Sequence, residues 1–202
     1  MVPQQSATRL AEVWVPFLDK LGEKAGFKLK FTTAKDIPTF EACLAAQAYD
    51  FAYMNPYHFV VVHETAGYQA FAHEAGRKLR GILVTQADSA VQELNDLNNQ
   101  EVAFPSPAAF GASVIPRAEL MKQGVSFTPR YVKSHDSVYR AVALGAGSCR
   151  RGGCSAPSEI LPEELRAQLR VFYRTDEYTP HAFAASPGVP ADVRANISIR
   201  DA

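Results

Sequence analysis

The sequence predicts an α/β fold in two lobes, and three observations lead there. Apolar residues recur at three- and four-residue spacing in some segments and at alternate positions in others. The two kinds of segment take turns along the chain, as they do in folds with helices packed on a parallel sheet. Segments of both kinds continue past the middle of the 202 residues with no low-complexity linker between the halves. Lobes that share crossover strands fit that pattern better than two separate beads.

Ser6 reads as the N-cap of a first helix. Its apolar face is Leu10, Val13, Trp14, Phe17, Leu18 and Leu21, and it ends near Gly26. Phe27, Leu29 and Phe31 then alternate with lysines, which predicts a half-buried strand over 27–33. A second helix runs over 37–48, with Pro38 in its first turn. Residues 50–54 form a short strand that Asn55-Pro56 ends, and a third helix follows to about Thr65. Such a unit normally opens with a strand. Only residues 2–5 are available for it, so the first strand is expected to be truncated.

A second unit begins with a strand at 81–85. Residues 94–99 are turn-rich, and 102–104 form a short strand. Pro105-Ser106-Pro107 leads into a helix over about 109–122. A strand at 127–132, helices at 136–144 and 161–170, and a strand at 171–173 complete it. The expected division is lobe 1 over 1–80, with 177–202 returning to it, and lobe 2 over 81–176.

Composition narrows the function. Lys plus Arg and Asp plus Glu both number 21, so the formal charge is zero. Broad binding to nucleic acid or to a membrane surface needs a basic excess. Any anion must therefore be held by local geometry. The longest apolar runs fall well short of the roughly 20 residues of a membrane span. Residues 1–5 carry no basic or apolar region of a signal peptide. Cys149 and Cys154, with four residues between them, are weak evidence for zinc, and Cys43 reads as core. No metal and no cofactor are expected.

Four segments carry candidate chemistry. Where the strand ending at Phe104 meets the next helix, Ala109, Phe110, Gly111, Ala112 and Ser113 are small or offer backbone N–H groups. A helix start has unpaired N–H donors and the positive end of the dipole, a cradle for an oxyanion. The Gly-Lys-Ser/Thr ending of a nucleotide loop is absent. Ser134 and His135 stand at a second strand-to-helix junction, where plain capping competes with anion binding. Tyr53 and Asn55 close a strand, and Thr179 and His181 follow another through a turn. Ser134, His135 and Asp136 are adjacent, whereas the members of a hydrolytic triad come from separate loops.

Taken together these segments resemble the periplasmic phosphate/phosphite/phosphonate-binding proteins of ATP-driven (ABC) uptake systems. The resemblance rests on Pro3-Gln4-Gln5-Ser6, the run from Asp50 to His58, Gly81-Ile82-Leu83-Val84 with Asp88-Ser89, Val102 to Pro116, Ser134 to Val142, and Tyr178 to Ala184. It implies the type II periplasmic-binding fold, a phosphorus oxyanion held between the lobes, a membrane permease as partner and a periplasmic location. It implies a binding protein rather than an enzyme. The family's backbone donors correspond to Ala109, Phe110, Gly111 and Ala112 beside Ser113, its histidine to His135 after Ser134, and its aromatic to Tyr53. Members that bind amino-phosphonates hold the amine with carboxylates. No counterpart stands around Cys149 to Ser155 or Thr179 to His181, which favours phosphite, phosphate or an alkylphosphonate. The rival readings are a ligand-sensing domain of a signalling protein and a small hydrolase using Ser113 or His135.

Overall fold

A computed structural model describes residues 1–145, 153–154 and 162–197, the side chains of 153–154 excepted. Its contacts divide the chain into two units, Met1–Arg77 with Thr179–Ala202, and Lys78–Tyr178.

In the first unit, α1 (Ala7–Ala25) starts at Ser6, whose hydroxyl accepts from Arg9 N–H, and stops at Gly26 in the left-handed conformation. Helix α2 (Ile37–Ala45) is capped by Asp36 and is shorter than the expected 37–48. Strand β1 (Phe51–Met54) leads into α3 (Pro56–Ala66). Strand β2 (Gln69–His73) follows. The sequence reading missed it, because its side chains are too evenly exposed to alternate. The unit is completed by β8 (Ala182–Ala185) and α7 (Ala191–Ile197). The sheet order is β1-β8-β2. Both pairings are antiparallel, against the parallel pairing expected, because β8 returns from the far end of the chain. Phe40, Leu44, Met54 and Tyr68 form the core and are essentially inaccessible to solvent.

The strand expected over 27–33 is not one. The segment is outside the helices and strands. Phe27 N–H donates back to Gly22 O at 3.1 Å, and the amine of Met1 donates to Thr32 O at 3.0 Å. Alternation alone does not make a strand when no neighbouring strand pairs along the length of the segment.

The second unit is built on a sheet in the order β5-β4-β6-β3-β7. Its strands are β3 (Leu79–Gln86), β4 (Gln100–Phe104), β5 (Phe127–Tyr131), β6 (Gly153–Cys154) and β7 (Leu169–Tyr178). Strand β4 runs parallel to β5 and β6, whereas β3 is antiparallel to β6 and β7. Successive residues pack on opposite faces. Leu83, Val102 and Phe104 meet Leu94, Leu97 and Leu120 on one face. Ile82, Val84 and Ala103 meet Val138, Tyr139 and Val142 on the other. A strand covered on both sides reads as a continuous apolar run, which is why Ile82-Leu83-Val84 does not alternate.

Helix α4 (Ile115–Lys122) follows β4, and α5 (His135–Ala143) follows β5. The helix expected over 161–170 is only α6 (Glu163–Ala167) within the described residues, and Leu169 already belongs to β7. The long antiparallel pairing of β7 with β3 overrides the helical pattern of that segment. Cys149 and its surroundings, and with them the metal and disulfide readings of that segment, lie outside the described residues.

Candidate oxyanion site

Strands β4 and β5 are parallel neighbours, with Phe104 opposite Tyr131. Val132 N–H donates to Phe104 O at 2.9 Å, so the two chains leave the sheet side by side. Each then starts a helix. Two of the four candidate segments are therefore helix starts at the carboxyl ends of adjacent parallel strands, a place where α/β sheets bind ligands.

The first helix start is unusual. Phe110–Val114 is a turn of π-helix that leads directly into α4. Ser113 N–H and Val114 N–H both reach Ala109 O, at 2.7 and 3.1 Å. Ala109 N–H turns back to Ser106 O. The N–H groups of Phe110, Gly111 and Ala112 have no backbone acceptor among the described residues, and Ala109 provides no side-chain cap. Gly111, Ala112 and Ser113 are all buried. Single π-turns inside helices recur at functional sites because they change which groups face inward.

Two hydroxyls attend this turn. Ser113 is fully buried and Ser106 nearly so. Neither Oγ has a hydrogen-bond partner among the described residues. Leaving a buried hydroxyl unbonded costs about 1–3 kcal/mol, and these two stand with three N–H groups that have no backbone acceptor among the described residues.

Gly81 on β3 holds the turn in place. Its N–H donates to Thr175 Oγ1 at 2.9 Å. A Cβ at Gly81 would lie 2.3 Å from Gly111 O. Neither Gly81's steric role nor the buried Thr175 was singled out from sequence. A glycine opening an apolar strand was the available signal.

The second helix start is capped conventionally. Ser134 Oγ accepts from Ser137 N–H at 3.1 Å and lies 2.8 Å from Ser137 Oγ. Ser134 is thus the N-cap, and the helix starts at His135, one position before the start expected at Asp136. Ser134→Ala is expected to cost about 1 kcal/mol, measurable as a lowered urea midpoint at unchanged slope. His135 is the first helical residue, and desolvation lowers its pKa to about 4, against a smaller opposing effect of Asp136. Its ring is neutral at pH 7 and offers one N–H.

Tyr53 and His181 meet within the first unit. Their rings stack at 5.3 Å between centroids and 20° between planes. Trp14 and Phe183 each lie 4.8 Å from the Tyr53 ring. Burial, then the negative charge of Glu74, raises the Tyr53 phenol above its ordinary pKa, against a pull from Arg77. Gln4 Nε2 is 2.8 Å from His181 Nε2 and belongs to this cluster, although the sequence reading left it out of the site. Asn55 has another role: its Oδ1 accepts from His58 N–H at 2.8 Å and caps α3. Its place directly before Pro56 suits this cap, which uses Oδ1 and not the amide Nδ2 of the residue expected to face a ligand.

The sequence profile of the family described as "ABC transporter, phosphonate, periplasmic substrate-binding protein" matches residues 1–199. The chain belongs to this family of phosphonate-transporter binding proteins. A curated relative, the phosphate-import protein PhnD of Mycolicibacterium smegmatis, is 21% identical over 225 residues, covering 95% of this chain. The chain spans 66% of that relative's length. Solved structures agree on the fold. The binding component of an ABC phosphonate transporter from Pseudomonas aeruginosa superposes with a TM-score of 0.79 at 16% identity, covering 97% of this chain and 70% of that one. PhnD1 of Prochlorococcus marinus, solved in complex with methylphosphonate, gives 0.78 at 16% identity, covering 98% and 77%. The phosphonate-binding family has the periplasmic-binding-protein fold, and its members bind solutes for transport. Among the described residues, no helix is long and apolar enough to cross a membrane, and no group of three or more His, Cys, Asp or Glu could hold a metal ion.

Proposed function

We propose that this chain captures a small phosphorus oxyanion without an amine, such as phosphite, phosphate or an alkylphosphonate, and presents it to a membrane permease. The observation that carries the reading is the buried hydroxyl of Ser113 beside the N–H groups of Phe110, Gly111 and Ala112, none of which has a hydrogen-bond partner among the described residues. An oxyanion supplies compact, charged acceptors to all of them at once. Three N–H groups and two hydroxyls, from Ser113 and Ser106, replace the hydration shell that the anion gives up. The dipole of the continuous helix over 110–122 adds to this without a net charge on the chain. Neutral His135 contributes an N–H from the neighbouring helix start, with Ser134 holding that start in shape. We assign Tyr53 and His181 as the ligand contacts of the first unit. The relatives named for phosphate import and solved with methylphosphonate support this ligand class, and the family supports an ABC permease as partner and a periplasmic site of action.

The test is a thermal-shift and calorimetry panel across phosphite, phosphate, methylphosphonate, 2-aminoethylphosphonate and sulfate. A phosphorus oxyanion is expected to raise Tm by ligand linkage, with the amine-bearing phosphonate weaker. No shift at millimolar concentration with any phosphorus oxyanion would sink the reading. Ser113→Ala is expected to weaken binding about tenfold, the worth of one hydrogen bond to a charged acceptor of about 1.5 kcal/mol. His135→Asn, which keeps a donor, is expected to retain more affinity than His135→Ala. Phosphoester turnover by the purified chain would favour the hydrolase reading instead, and none is expected.

A further inference from the structure

Gln4 Nε2 lies 2.8 Å from His181 Nε2, a contact between residues 177 positions apart. The main chain brings them together. Val2 N–H donates to Tyr53 O at 3.1 Å, which ties this segment to β1, and Gln4 N–H donates back to Val2 O at 3.0 Å. His181 directly precedes β8, whose Phe183 pairs with Tyr53. His181 is buried and its ring stacks on that of Tyr53, whereas Gln4 is exposed.

The contact works in one direction only. A primary amide nitrogen donates two hydrogens and accepts none. His181 Nε2 is therefore the acceptor, and the ring proton is on Nδ1. The other two forms of the ring fail here, because the Nε2–H tautomer and the imidazolium both set N–H against N–H. The titratable and charged groups around the ring are Tyr53, His58, Glu41 at 3.5 Å from His58 Nε2, and Glu74 and Arg77, whose effects on Tyr53 oppose each other. Protonating both His58 and His181 would set like charges together.

The form of this ring decides what the site rewards. An imidazolium attracts any anion within reach, whatever its shape. A neutral ring with a fixed N–H rewards an acceptor placed on that hydrogen. We propose, on the assignment of His181 as a ligand contact, that Gln4 is a positioning residue: it holds His181 as the neutral Nδ1–H tautomer, stacked on Tyr53, so that selection rests on acceptor geometry and not on charge.

The test uses the full chain labelled with 15N at histidine, with methylphosphonate and phosphate as probes. The His181 signals are identified by their absence from His181→Phe. In the ligand-free parent at pH 7.5, two-bond 1H–15N correlations are expected to show Nδ1 protonated and Nε2 bare. Gln4→Ala is expected to show both tautomers in exchange, and to bind the tighter of the two anions about fivefold more weakly. Gln4 is exposed, so Tm in this variant is expected to stay within about 2 °C of the parent. Gln4→Glu offers an acceptor instead. It is expected to put a proton on Nε2, to raise the His181 titration midpoint by about one pH unit, and to narrow the preference for that anion over sulfate at pH 6. An Nε2–H tautomer in the parent overturns the proposal, as does a tautomer unchanged in Gln4→Ala. A parent that binds no phosphorus oxyanion overturns the ligand reading, and this role with it. A parent that binds while Gln4→Ala binds equally well overturns this role alone.

Discussion

Gly81→Ala is expected to lower the Tm of the ligand-free protein by about 5–10 °C and to abolish oxyanion binding at concentrations that saturate the parent. The added methyl would sit 2.3 Å from Gly111 O and 3.1 Å from Thr175 Cγ2. The first contact is with backbone, which no side-chain rotation relieves. Either β3 moves, straining its pairing with β7 and β6, or the π-turn does. Overpacking of this kind costs about 1–3 kcal/mol, and about 1 kcal/mol shifts Tm by 2–4 °C in a chain of this size. The binding loss is the more specific consequence, because the displaced carbonyl belongs to the residue whose N–H helps form the cradle. Calorimetry with the best-binding phosphorus anion, on a variant shown to be folded by circular dichroism, separates the two effects. A folded Gly81→Ala that binds normally would show that the turn over 110–114 is not the site.

Acidification from pH 6.5 to 4 is expected to destabilise the protein, with His58 a principal cause. His58 is 1% exposed, and neither ring nitrogen has a hydrogen-bond partner among the described residues. Burial lowers its pKa to about 4, and the neighbouring His181 adds a smaller effect in the same direction. In the unfolded chain it returns to about 6.5. Between these values the unfolded chain holds a proton that the folded chain does not. Unfolding then takes up a proton, so stability falls as pH falls. The contribution is intact above about pH 6.5 and is lost on approach to pH 4. Its full size is on the order of 3 kcal/mol. Glu41 Oε1 lies 3.5 Å from His58 Nε2, and burial raises the Glu41 pKa. A raised carboxyl is relieved by protonation, so Glu41 offsets part of the loss. Urea melts at pH 7, 5.5 and 4.5 measure the slope, which His58→Leu is expected to flatten. An unchanged slope in that variant would assign the acid sensitivity elsewhere.

Much of this molecule is legible in its sequence because local and tertiary signals coincide. Ser6 and Ser134 cap the helices they introduce, and the apolar run at 82–84 is the strand covered on both faces. The small residues after Phe104 read as a turn between a strand and a helix, and β4 and the turn over 110–114 stand there. Three features lay beyond local pattern. The π-turn is one, since it depends on how β3 packs beneath Gly111 and not on the spacing of 110–114. Strand β7 is another, where pairing with β3 outweighs a helical periodicity. The third is the segment over 27–33, whose alternation is correct for a strand but which lacks a neighbour to pair with. Asn55 shows another limit: a polar residue at a strand end suits a ligand and a helix cap equally, and its bond to His58 N–H establishes the cap.

The π-turn has a further consequence. Ala109 O accepts two successive N–H groups, so the cradle is one residue out of step with the helix behind it. Ser113 faces inward in that register, while Ile115, Pro116 and Leu120 keep the helix seated on the sheet. Deleting one residue between 110 and 113 would restore an ordinary helix without moving those three anchors, and would turn a different side chain inward in place of Ser113, toward the proposed anion site. Ligand preference in this scaffold can therefore change through single-residue insertions and deletions at one turn, a route that leaves the packed core untouched.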